Sequence, residues 1–251
     1  MSQEVSQNAP EDLQVLQEGK SRFVWVLASI VAVVWSVFQL ATSYFGVLPL
    51  MQQRPIHMAF GFSLVFLLFP ALRSSGGRGR KLGRSADAVL IAITVGLTAY
   101  IAWNHIDIEW RASDYYDHEI LSGVVMVLLV LETTRRTTGM ALPIIGGLFL
   151  LYAYFGNHMP DLFAHRGFSV NRIFSQLYLT AEGIYGLPMR ISATLVFNFV
   201  LLGAFLKETG AGQFFIDLAL SLFGRVRGGL AKVAVVASSF FGSISGSAVA
   251  N

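Results

Sequence analysis

Long apolar runs separated by short polar stretches organise this chain. After a polar leader that ends at Arg22, residues 23–44 are apolar except for small polar interruptions such as Ser29, Ser36, Gln39 and Thr42. Further apolar runs cover residues 56–72, 86–103, 120–134, 140–155 and 191–206. A bilayer core takes about 20 predominantly apolar residues per helical crossing, somewhat fewer with interfacial flanks, so each run predicts a membrane-spanning helix. The first run is longer than a signal-peptide core and its leader is too long for an ordinary n-region, which predicts an uncleaved first span. Two segments break the pattern. Residues 173–185 are amphipathic, with Pro188 restarting a helix behind them. Residues 213–224 predict a helix of about 18 Å, too short to cross a core of about 30 Å. Its polar residues Gln213, Asp217 and Ser221 recur every four positions and share one stripe, so this helix is expected near an interface or against protein.

Composition agrees with the pattern. The chain has 251 residues, 54% of them hydrophobic and 13% charged, and no cysteine. An ordinary soluble domain carries about 25% charged residues, so a water-facing globular surface is excluded. Disorder fails for want of polar bias, and the missing cysteines remove disulfide frameworks, thiolate zinc sites and cysteine nucleophiles. The expected fold class is all-α, a polytopic helical membrane protein. A net charge of +3 would raise nucleic acid for a soluble protein. Here the charges sit between apolar runs, where they set topology, and no nucleic-acid partner is expected. Arg73, Arg78, Arg80, Lys81 and Arg84 occupy one connection without an acid, whereas the next holds Asp107, Glu109, Asp114, Asp117 and Glu119 against Arg111 alone. The positive-inside rule then places the N-terminal tail, the basic connection and Arg135/Arg136 in the cytoplasm. The chain accordingly divides into a cytosolic tail at 1–22, a four-span bundle at 23–136, and a second unit at 137–251.

The chemistry concentrates at the end of that second unit. From Leu230 to about Phe241 a helix rises roughly 18 Å, to the bilayer midplane if it starts at the cytosolic face. There the residues turn small and polar: Gly242, Ser243, Ser245, Gly246, Ser247 and Asn251. Irregular backbone at that depth is tolerated only where protein or a water-filled cavity surrounds it, and transporters use such breaks to present oxygens to substrates and coupling ions. The spacing of Gly242 and Gly246 also fits close helix packing, and on spacing alone both readings stand.

Four stretches carry a family resemblance. They are Gly228-Gly229 through Lys232-Val-Ala-Val-Val-Ala, the terminal Gly242-Ser-Ile-Ser-Gly-Ser-Ala-Val-Ala-Asn, Leu179-Thr-Ala-Glu-Gly-Ile-Tyr-Gly, and Gly203-Ala-Phe-Leu-Lys-Glu-Thr-Gly-Ala-Gly-Gln-Phe-Phe-Ile-Asp-Leu-Ala. Together they resemble the fused permease of a tripartite ATP-independent periplasmic (TRAP) transporter, of the TAXI type that joins a four-span and a twelve-span part. The match is dense from about residue 135 onward; over the first 134 residues span count and topology match better than any motif. The resemblance implies a small-subunit-like four-span domain joined to the start of a large-subunit-like, elevator-type transport domain with a re-entrant hairpin. It implies secondary active import, by symport across the bacterial inner membrane, of a carboxylate delivered by a TAXI-type periplasmic solute-binding protein. The coupling ion would be sodium or a proton, with no other cofactor. Ser243, Ser245, Gly246, Ser247 and Asn251 would form the substrate and ion site at the hairpin tip, with Ser245, Gly246 and Asn251 around sodium. Neutral oxygen ligands suit a hard cation that must be released again. A complete large subunit continues through the descending hairpin arm and a second inverted half, so the expectation is a fragment that needs the remainder of the permease. The alternative is a non-transporting membrane scaffold that docks a receptor or partner permease.

Other residues carry weaker expectations. Asp87 and Glu132 sit at the ends of their spans, where an acid reaches the interface, or pair with each other or with arginine. Asp217, amid Phe215, Ile216, Leu218 and Leu220, is expected to pair with Lys207, Arg225 or a hairpin amide. Glu182 is expected to cap or brace the helix that starts at Pro188, and Asn198 to make an interhelical hydrogen bond. The loops at 104–119 and 156–172 are the docking candidates for a binding protein. His105, Asp107, Glu109, Asp114, Asp117, His118 and Glu119 read as solvated or docking groups ahead of a metal site. Enzymatic signals are weak: the Gly242–Gly246 pentad has isoleucine where a nucleophile elbow needs serine, and no P-loop occurs.

Overall fold

The computed structural model describes residues 22–71, 77–111, 114–160, 162–226 and 228–245. Every regular element among them is a helix. In chain order these are α1 (Arg22–Phe45), α2 (Leu50–Leu68), α3 (Gly77–Trp110), α4 (Asp117–Thr138), α5 (Ala141–Phe155), a 3-10 turn (Gly156–His158), α6 (Val170–Tyr178), α7 (Leu187–Ile191), a π turn (Ser192–Val196), α8 (Phe197–Glu208), α9 (Ala211–Phe223) and α10 (Gly229–Ser245). By length and composition, Arg22–Phe45, Leu82–Trp110 and Leu187–Glu208 are each able to cross a membrane. The protein is a helical membrane protein, and its exposed Val, Leu, Ile and Phe side chains on α1, α3, α5 and α8 are the surface expected to meet lipid.

Several helices outrun the apolar patterns that predicted them. Helix α3 extends beyond 86–103 at both ends, because a helical backbone satisfies its own hydrogen bonds whether or not its side chains are apolar. Helix α2 begins at Leu50, ahead of the predicted 56, and its polar first turns are buried: Gln53, Arg54 and His57 lie inside the protein. The Gln53 Oε1 accepts the Leu48 N–H at 3.1 Å, which ties down the entry to the helix. Helix α2 ends at Leu68 because Pro70 follows; Phe69, forced out of the helical region, sits at φ −120°, ψ 83°.

The chain forms two compact units. One comprises α1 as far as Trp35 together with Leu48–Met189, the other Ser36–Val47 with the chain from Arg190 onward. The core of the first gathers Met51, Met58 and Phe66 of α2, Ile101 and Ile108 of α3, Met126 and Leu129 of α4, and Tyr178, Leu179 and Tyr185. Two polar features shape it. Thr94 and Thr98 are buried by returning their hydroxyls to the Leu90 and Thr94 carbonyls, both at 2.8 Å. Gly123 brings α4 against α6, where a Cβ would stand 2.9 Å from the Phe174 carbonyl oxygen. In the second unit α9 and α10 pack through Ala219, Val233 and Ala237, flanked by Phe223 and Val236. The turn between them needs glycine: Gly228 has φ +74°, and a Cβ on Gly229 would lie 2.6 Å from the Phe223 carbonyl oxygen.

Candidate functional site

Helix α10 carries the Ser-rich motif on its last turn. The expected break at Gly242 is displaced: the helix continues through it to Ser245. Small residues lower helix propensity by at most about 1 kcal/mol each, which packing against α9 readily offsets. Ser243 and Ser245 thus lie at the end of a helix of about 25 Å, and its length fits a climb from one face of a bilayer past the midplane. Their side chains, together with Gly246, Ser247 and Asn251, lie outside the described residues. Partway along, the Phe215 and Phe240 rings meet at 5.9 Å between α9 and α10. Asp217 takes a different partner from those expected: its Oδ1 accepts from Gln213 Nε2 at 2.9 Å, one turn back on α9, so the polar stripe pairs with itself.

The second unit also holds a polar cluster that the sequence marked only as interruptions. Between α7 and α8 the chain makes a π turn, closed by the Phe197 N–H on the Ser192 carbonyl. Such a turn moves carbonyls out of the α ladder, and two are covered by side-chain amides. Gln39 Nε2 donates to Ala193 O, and Asn198 Nδ2 donates to Thr194 O at 2.6 Å and to Ser43 Oγ at 2.8 Å. Asn198 therefore makes the interhelical bond expected of it. Ser43 and Thr42 in turn donate to the Gln39 carbonyl at 2.8 and 3.1 Å. Carbonyl partners can only accept, so both amides must present nitrogen to the backbone. Gln39 Oε1 and Asn198 Oδ1 are left buried without a hydrogen-bond donor. Gln39, Thr42 and Ser43, spaced three and four apart on an apolar helix, were the readable signal for this face.

Asp87 and Glu132 are arginine-paired. Arg136 Nη1 reaches Asp87 Oδ1 at 2.6 Å and the Phe69 carbonyl at 2.9 Å, while its Nε binds Glu132 Oε1 at 2.7 Å; Arg135 takes the other Glu132 oxygen at 2.7 Å. One guanidinium thereby joins the ends of α2, α3 and α4. Glu182 is exposed, and the bend before Pro188 is braced by backbone instead: Ile184 N–H to Leu177 O at 2.8 Å, Gly186 N–H to Gly183 O at 2.9 Å, and Arg54 Nη1 to Tyr185 O at 2.5 Å.

Of the seven loop residues from His105 to Glu119, the structure brings Asp107, His118 and Glu119 into one network with Arg111. Arg111 makes two bonds to Glu119, at 2.8 and 2.6 Å, and one to Asp107 at 3.1 Å. Glu119 also accepts from Tyr100 Oη at 2.8 Å and from the Tyr116 N–H at 2.9 Å, as the carboxylate of a capping box at the start of α4. Tyr100 Oη lies 3.2 Å from His118 Nε2. Burial opposes ionisation of Glu119, but the Arg111 guanidinium and the other donors outweigh it and hold its carboxyl below the ordinary range. Glu109, Asp114 and Asp117 are exposed around this knot.

Comparison with known proteins bears on the half of the chain that contains α9, α10 and the π turn. Residues 125–251 match the family model of the tripartite ATP-independent periplasmic transporter, DctM component. No curated protein and no solved structure gives a significant match. With the match covering just over half of 251 residues on an all-helical, membrane-type architecture, the chain belongs to the DctM component family of tripartite ATP-independent periplasmic transporters.

Proposed function

We propose that this protein works as a permease component in the cation-coupled import of carboxylate solutes, receiving them from a TAXI-type periplasmic binding protein. The observation that carries the reading is the extent of the family match: it includes the whole α9–α10 pair and runs through the Ser-rich stretch to Asn251. On this reading Ser243, Ser245, Gly246, Ser247 and Asn251 supply neutral oxygens to substrate and to sodium or a proton-dependent equivalent. Residues 23–136 serve as the small-subunit-like scaffold, and the acidic surface around Glu109, Asp114 and Asp117, with the loop at 156–172, receives the binding protein. The membrane is the bacterial inner membrane, with the N-terminus in the cytoplasm. Transport needs no enzymatic step, and the residues argued for here bind and release without covalent chemistry.

The test is uptake in proteoliposomes by the permease containing this chain, with its binding protein supplied on one side and a sodium or proton gradient imposed. Ser245→Ala and Asn251→Ala each remove one neutral ligand, a loss of about 1 kcal/mol, and are expected to raise the cation concentration for half-maximal uptake about fivefold while insertion is unchanged. Uptake with the same cation dependence in both variants would overturn the site. Binding-protein capture without any gradient-driven uptake would favour the scaffold reading.

A further inference from the structure

One imidazole closes the connection between α5 and α6. His165 Nδ1 accepts the Gly167 N–H at 3.1 Å, and His165 Nε2 lies 3.1 Å from the Tyr152 carbonyl oxygen. An amide N–H only donates and a carbonyl only accepts, so these two neighbours fix the neutral ring with its proton on Nε2. Backbone bonds gather the same segment, from His165 N–H to Gly156 O and from Phe168 N–H to Ala153 O, each at 3.0 Å. The ring lies directly on Gly156, where a Cβ would stand 2.0 Å from it, and it meets the Tyr152 ring edge-on at 4.8 Å. The titratable and charged groups on the elements packed around it are Tyr152 and Tyr154 of α5, His158 of the 3-10 turn, and Arg166, whose guanidinium sits 5.5 Å from the Phe168 ring. Among these described residues none is an acid that would hold an imidazolium in place.

We propose that His165 is a proton-operated staple of this loop. Protonation puts a second N–H on Nδ1, donor to donor against Gly167 at 3.1 Å, while the Tyr152 bond survives. The loop then opens at its Gly167–Phe168 side as pH falls through the range, about 5 to 8, in which histidine changes charge. Its consequence, a docking surface shaped near neutral pH and loosened in acid, rests on the reading of residues 156–172 as a receptor-docking loop.

The experiment reads the loop without any partner. Hydrogen exchange of the Gly167 and Phe168 amides is followed by mass spectrometry between pH 5 and 8, in the 251-residue chain held in lipid nanodiscs, with intrinsic exchange rates divided out. Wild type is expected to lose about tenfold or more in protection on acidification. His165→Asn keeps an acceptor in place of Nδ1 but cannot titrate, and its protection is expected to stay level; His165→Phe is expected to be weakly protected throughout. Level protection in wild type, or a fall in His165→Asn parallel to wild type, overturns the staple. Because no binding protein is present, failure of the docking assignment leaves this readout untouched and appears only in the uptake assay.

Discussion

Glu119 shows how a single side chain fixes a connection between two helices. Its side chain is fully buried, and the Arg111 side chain that pairs with it is 16% exposed. Removing one partner of a buried pair leaves the other charge uncompensated, at a cost of about 3 kcal/mol or more. Glu119→Gln is therefore expected to lower the melting temperature clearly at pH 7. The sign of the pH dependence follows from the depressed carboxyl. Its stabilisation is complete above the ordinary value of 4.5 and is lost as pH falls through the lower folded value. Melting curves of wild type and Glu119→Gln should converge toward low pH, and a gap that stays constant would show that the ion pair contributes nothing. Gly123 gives a second residue-scale expectation. Gly123→Ala drives a Cβ to 2.9 Å from the Phe174 carbonyl and 3.3 Å from the Tyr178 Cβ, so α4 and α6 must part, at about 1–3 kcal/mol. A melting temperature equal to wild type would mean that the two helices are not so closely seated. The sequence displayed Glu119 as one of several loop acids, and nothing in its spacing distinguished it from exposed Asp114 or Asp117. Asp87 and Arg136 are likewise 49 positions apart, and helix periodicity relates neighbours along one helix, never partners across two.

Among the elements, the long apolar helices were readable and the deviations from them were not. A run such as 23–44 leaves few alternatives to a span, whereas α2 hides its first turns behind Gln53, Arg54 and His57, which a polarity pattern assigns to water. The π turn is harder still, because one extra residue in a helix leaves the apolar pattern nearly unchanged. Its stability is open to a double-mutant cycle. Gln39→Met keeps the volume but removes the donor from Ala193 O, leaving a buried carbonyl unpaired at about 1–3 kcal/mol. Deleting Thr194 returns Ser192–Val196 to the α ladder and gives that carbonyl an amide partner of its own. The cost of Gln39→Met, measured by thermal unfolding, is thus expected to shrink by at least about 1 kcal/mol in the deletion background. Equal costs in both backgrounds would separate Gln39 from the π turn.

At the scale of the whole molecule, composition was decisive: a chain with 13% charged residues and apolar runs throughout has no soluble solution, and the family match agrees with a transporter. Orientation is the next quantity that charge dictates. The five Lys/Arg of residues 73–84 resist translocation, and the acidic stretch at 104–119 does not compete for the cytoplasm, since acids contribute little to the rule. The chain is free of cysteine, so single cysteines report topology without background. Ser113→Cys, in the acidic stretch, is expected to react with a membrane-impermeant maleimide applied to cells whose outer membrane alone has been opened. Ser75→Cys, in the basic stretch, is expected to react only after the inner membrane is permeabilised. The opposite pattern would invert every span and place the α5–α6 loop, with His165, in the cytoplasm, where no periplasmic binding protein could reach it. The orientation of the helices therefore decides whether the acidic surface and the histidine-closed loop face a receptor at all, and two labelling reactions read it directly.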